Sequence, residues 1–191
     1  MTEPRSGLRL ATYNVEWFNA LFDDNGRMLD DREPSTRYKT TRGEQLAALA
    51  IVFTALDADG ITIIEAPDTN GHRSTVKALE TFARSVGLRA RKAIIGFASE
   101  TEQEIAFLYD PDRLTARHDP QGRPSTTQGS HDAPRFDTTC RYDLDADNIS
   151  ETIRFSKPPL ELALTTPGGT HLRTISVHAK SKNPYGAIGR E

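Results

Sequence analysis

Three side chains far apart along the chain, Asn14, Glu65 and His178, have the chemistry to meet a phosphate or a cation. Each closes a strand-like run. Leu8-Arg9-Leu10-Ala11-Thr12-Tyr13 has the alternating period of a half-buried strand and ends in Asn14. An amide there can hold a phosphate oxygen, a metal-bound water or a neighbouring carboxylate. Taken alone, Asn14 is better read as capping the next turn through its own side chain. Ala58-Asp59-Gly60-Ile61-Thr62-Ile63-Ile64-Glu65 is a short apolar strand ending in a carboxylate, and His171 to Lys182 is a third run, ending in His178, Lys180 and Lys182. Strands that each deliver a polar side chain at the C-terminal end suggest one shared site at the rim of a sheet.

The elements that must carry these residues follow from local pattern. Leu8, Leu10 and Thr12 share one face of the first strand, and Arg9, Ala11 and Tyr13 the other. Asn19 to Thr40 is a polar excursion with a turn signal at Asp23-Asp24-Asn25-Gly26; its acidic residues lack the ligand spacing of a calcium loop. Thr41-Arg42-Gly43-Glu44 has the form of a capping box. It predicts a helix from Thr41 to about Asp57, with Leu46, Leu49, Ala50, Phe53 and Leu56 at helical spacing. A second helix is expected over Ser74 to Val86, stopped by Gly87. Leu88 to Ile95 and Glu104 to Tyr109 read as adjacent strands, and Ile153 to Thr165 with Thr170 to His178 as a hairpin across Pro167-Gly168-Gly169.

Between them, 110–152 reads as a long loop or insertion. Arg113, Arg117, Arg123, Arg135 and Arg141 lie in it beside His118, His131, Phe136 and Tyr142. A substrate-facing flap and a mobile surface insertion are both open readings. Ser130-His131-Asp132 cannot form a triad, because adjacent residues lack that geometry. Asp68 and Asn70 read as turn formers, and His72 as solvated.

A chain of 191 residues allows one domain with a real core, or one and a half small ones. The net charge of -3 excludes a strongly basic nucleic-acid footprint, but not cleavage of nucleic acid by a site that meets phosphate through a metal. The single Cys140 excludes a disulfide framework and a Cys-based zinc site. No apolar run approaches membrane-spanning length and Met1 to Gly7 has no signal-peptide pattern, so a soluble cytoplasmic protein is expected.

Asn, Glu and His at three strand ends resemble the endonuclease/exonuclease/phosphatase superfamily. Thr12-Tyr13-Asn14-Val15 looks like the family's first motif, and Glu65 matches its metal-holding carboxylate, with Ile64 where the family usually has Gln. Gln103 to Leu114 looks like the central strand and its exit turn. Phe155-Ser156-Lys157-Pro158-Pro159-Leu160 resembles a short motif with a basic residue before proline, and Ser176 to Lys182 the strand whose His contacts the scissile phosphate. The resemblance implies an α/β fold, a two-sheet β-sandwich flanked by helices in a deoxyribonuclease-like four-layer arrangement. It implies catalytic roles for Asn14 and His178, metal binding by Glu65 and substrate binding by Lys157 and Lys180. Gln103 falls where the nuclease branch has a Glu that orients the catalytic His.

The cofactor implied is Mg²⁺ or Mn²⁺. The partner implied is a phosphodiester, DNA or RNA among them, with no membrane. The family's Asp-x-Asn and Asp-His motifs are not found after His178. The expectation is therefore a single incomplete domain over 1–191, roughly the first two thirds of a family member, whose site a further C-terminal segment or a second chain would complete. Three functions follow: a nuclease or related phosphodiesterase, a phosphatase of an inositol or other small phosphate, and a non-catalytic binding module.

Overall fold

The computed structural model describes residues 7–16, 18–35, 39–67, 74–98, 103–123, 135–143 and 146–179. Strand β1 (Leu10–Asn14) leads through a short 3-10 helix (Phe18–Leu21) to helix α1 (Arg42–Leu56), then strand β2 (Gly60–Ala66) and helix α2 (Thr75–Val86). Strands β3 (Lys92–Ile95), β4 (Glu104–Tyr109), β5 (Thr115–His118), β6 (Cys140–Tyr142), β7 (Glu151–Ile153), β8 (Leu160–Thr165) and β9 (His171–Ser176) follow.

Both helices begin and end as their sequences predict. The Thr41 hydroxyl accepts from the Glu44 backbone, and the Glu44 carboxylate accepts in return from the Thr41 backbone, which satisfies two otherwise orphaned N–H groups. Asp57 closes α1 in the left-handed region, and Gly87 closes α2 with φ 74°.

A four-stranded sheet has the order β1-β2-β4-β3, with β1 and β2 parallel and the other pairs antiparallel. One face meets the helices. Ile61 and Ile63 of β2 and Ala106 and Leu108 of β4 pack with Leu49 and Phe53 of α1 and Leu79 and Phe82 of α2. Phe82 meets Phe18 and Phe53 edge-on, each pair with ring centroids 5.2 Å apart. The other face, with Ile64, Ile105 and Phe107, packs on Leu160, Leu162 and Leu164 of a second sheet of order β5-β8-β9. β4 is therefore buried on both faces and, after Glu104, reads as a continuous apolar run. The described layers are helices, sheet and sheet. On β1 it is Ala11 and Tyr13 that pack against the helix-side core, whereas Leu10 on this edge strand is 42% exposed.

Two expectations change. Within 110–152, expected as a long loop or insertion, the described residues include paired strands: β5 extends the second sheet by pairing with β8, and β6 pairs with β7 in a separate ribbon. The strand expected over Ile153 to Thr165 begins only at Leu160, after Pro158 and Pro159, which cannot donate to a ladder. The predicted hairpin turn is present, with Gly169 at φ 81° and its N–H donating to the Thr166 carbonyl.

At the pole where β2 begins, Asp59 and Asp110 are buried around Arg89. Its guanidinium donates to Asp59 at 3.1 Å, to Asp110 at 2.8 Å and to Asp57 at 3.0 Å. Burial pushes the Asp59 carboxyl up, but the Arg9 backbone N–H and the Arg89 guanidinium outweigh it and hold it below its ordinary value. Among the described residues no helix is long and apolar enough to cross a membrane.

Candidate functional site

Strand direction explains why distant residues meet. β1 and β2 are parallel, so Asn14 and Glu65 emerge at the same rim. β4 runs antiparallel to β2, which brings its start, and Gln103 just before it, to that rim as well. The Val15 N–H donates to the Ile64 carbonyl at 3.0 Å, carrying the β1–β2 pairing one residue past Asn14.

The pairing of β2 with β4 shifts between Ile64 and Ala66. The residue at this bulge is Glu65, which adopts φ 62°, an uncommon conformation for a non-glycine residue. The bulge re-aims the carboxylate. Its Oε1 accepts from Asn14 Nδ2 at 3.2 Å and its Oε2 from Gln103 Nε2 at 2.9 Å. His178, two residues past β9, places Nε2 3.7 Å from Glu65 Oε1. That is an ion-pair distance rather than a hydrogen bond. The His178 and Glu65 side chains are 13% and 12% exposed, so the pair is largely withdrawn from water. A hydrogen bond of 3.1 Å between Thr62 and Ser176 ties β2 to β9 just before these residues.

Asn14 fulfils both readings of its sequence. While Nδ2 holds Glu65, Oδ1 accepts from the Glu16 backbone at 2.9 Å and closes the turn. Glu16 is itself in the left-handed region, with φ 55°. A groove of about 330 Å³ opens beside Asn14, lined by Tyr13, Glu16, Glu44, Gln45 and Val52 among others, with no Lys or Arg among the described residues lining it.

The other expected residues fare differently. Lys157 is half-buried in the bend before β8, and no ion pair or hydrogen bond joins it to Glu65. Lys180, Asp68, Asn70, His72 and Ser130-His131-Asp132 lie outside the described residues. Gln103 does not take the expected role beside His178. Its amide goes to Glu65 because the bulge turns that carboxylate toward the start of β4. Several arginines of 110–152 are engaged within the fold: Arg117 with Asp119, Arg135 with Asp137 and above the Phe97 ring, Arg113 with Asp59 and the Gly7 carbonyl, and Arg141 with the Ser150 carbonyl. Phe136 packs edge-on against Phe155.

Among the described residues no three His, Cys, Asp or Glu side chains converge as a chelate. At this rim two side-chain amides, of Asn14 and Gln103, orient the Glu65 carboxylate. That fits a hard cation such as Mg²⁺, which keeps much of its water and takes one or two carboxylates plus substrate oxygens. Comparison with protein-family models, curated proteins and solved structures finds no match to this chain.

Proposed function

We propose that the chain is a divalent-metal-dependent phosphoesterase of the endonuclease/exonuclease/phosphatase type, acting on phosphodiester bonds in the manner of a nuclease. The observation that carries this is the meeting of Asn14 and Glu65, with His178 beside them, at one rim. The same reading takes the helix, sheet and sheet layers as part of a deoxyribonuclease-like four-layer sandwich.

Glu65 would hold Mg²⁺ or Mn²⁺. When bound, the cation supplies Lewis-acid polarisation of a phosphoryl oxygen and charge for the leaving oxyanion. Asn14 Nδ2 orients the Glu65 carboxylate through its hydrogen bond. His178 Nε2, 3.7 Å from Glu65 Oε1, would donate to a phosphoryl oxygen held by the cation at Glu65, a bond that strengthens as charge accumulates in the transition state. Lys157 and Lys180 would add positive charge along the substrate. In the proposed site these residues supply binding, charge and orientation.

Supercoiled plasmid and a small chromogenic diester, each incubated with Mg²⁺ or with EDTA, provide the test. Mg²⁺-dependent nicking or diester hydrolysis is expected. Phosphate release from monoesters alone would move the assignment to a phosphatase, and DNA retention without turnover to a binding module.

A further inference from the structure

We infer that Gln103 is a positioning residue: its neutral amide clamps Glu65 and keeps the site at a single carboxylate, so that a divalent cation binds weakly alone and tightly only together with a phosphoester. The inference rests on the phosphoesterase reading above.

Gln103 immediately precedes β4, and the register that pairs Ala66 with Glu104 across the bulge sets it beside Glu65. The two carboxylate oxygens are held from opposite sides. Gln103 Nε2 donates to Oε2 at 2.9 Å, and Asn14 Nδ2 donates to Oε1 at 3.2 Å. Both donors are uncharged amides, one closing β1 and the other just before β4, so they fix the orientation of the carboxylate without adding a charge. Glu65 is the carboxylate that these two amides hold at this rim, and no three acidic, His or Cys side chains converge among the described residues. A cation that gives up water reluctantly gains little from one carboxylate. The non-bridging oxygens of a bound phosphoester would supply the remaining anionic ligands, and each partner would then raise the affinity of the other by the same factor.

A glutamate at position 103 would put a second carboxylate against Glu65. The two would repel unless a cation lay between them. Gln103→Glu therefore turns a site that needs substrate to hold its cation into one that holds it unaided. Gln103→Met fills similar space with no donor and releases the Oε2 side of the clamp.

The experiment titrates Mn²⁺ into the protein and follows bound Mn²⁺ by electron paramagnetic resonance, with and without a dinucleoside phosphorothioate diester. For the wild type, weak binding that tightens at least about tenfold with the diester is expected. Gln103→Glu should bind Mn²⁺ alone about tenfold more tightly than wild type and gain less from the diester. Gln103→Met should bind Mn²⁺ in the presence of diester about 10- to 100-fold more weakly than wild type, and it tests the inference even where the Glu variant fails to fold. Mn²⁺ binding that Glu65→Gln abolishes but neither position-103 variant alters would overturn the inference and leave the phosphoesterase reading standing. Mn²⁺ binding absent from the wild type with and without diester would overturn both.

Discussion

The side-chain amide of Asn14 is divided between Nδ2, which donates to Glu65, and Oδ1, which accepts from the Glu16 backbone. These two jobs can be separated. Asn14→Asp keeps an acceptor for Glu16 and so keeps the turn. It also loses the donor to Glu65 and places a like charge where a 3.2 Å hydrogen bond stood. For the proposed metal-dependent site, hydrolysis should fall about 10- to 100-fold. The melting temperature should stay within a few degrees of wild type. Steady-state kinetics beside thermal melting would check this, and a collapsed fold with proportionate loss of activity would return Asn14 to a purely structural role.

Strands and their pairing decide where those side chains point. The β2 bulge aims Glu65, and the Thr62–Ser176 hydrogen bond holds β9 against β2 near the turn-off to His178. Ser176→Ala removes that tie at a cost of about 1 kcal/mol in stability, read from denaturant unfolding. Its effect on turnover should exceed what that loss of folded protein explains, because His178 is freed relative to Glu65. Equal kcat for Ser176→Ala and wild type would show that β9 is held well enough by its pairing with β8. At this scale the sequence is legible where signals are local. The Thr41–Glu44 capping box, the Gly87 stop and the Pro167-Gly168-Gly169 turn each lie within a few residues and appear where expected. β5 is not legible: Thr115-Ala116-Arg117-His118 is short and polar, and only pairing with β8 makes it a strand. The Gln103–Glu65 bond is hidden for the same reason, since it depends on a shift in long-range register.

For the molecule as a whole, the charged cluster at one pole and the candidate site at the other rim make separate demands. The Asp59 carboxyl is held below its ordinary value in the fold, so the folded state binds fewer protons than the unfolded chain near the bottom of the acid range. That contribution is fully present above the unfolded carboxylate value, about 3.9, and is lost as pH falls through the lower folded value. Melting temperature should therefore drop below about pH 4. Asp59→Asn should be less stable than wild type at neutral pH and should show a shallower acid limb. An acid limb of unchanged slope in that variant would move the pH dependence to other carboxylates. The buried core was readable from the apolar runs of β2 and β4. The approach of His178 to Glu65 was not, because no spacing in the sequence encodes the distance between strands of two different sheets.

The most direct test of the central claim is the Mg²⁺-dependent hydrolysis of a chromogenic phosphodiester by Glu65→Gln, measured beside its circular dichroism and melting temperature. The substitution keeps the shape of the side chain and removes its charge. A loss of about 10²-fold or more in turnover with an intact fold is predicted. Wild-type turnover in Glu65→Gln would contradict the assignment of a metal-dependent site to this rim.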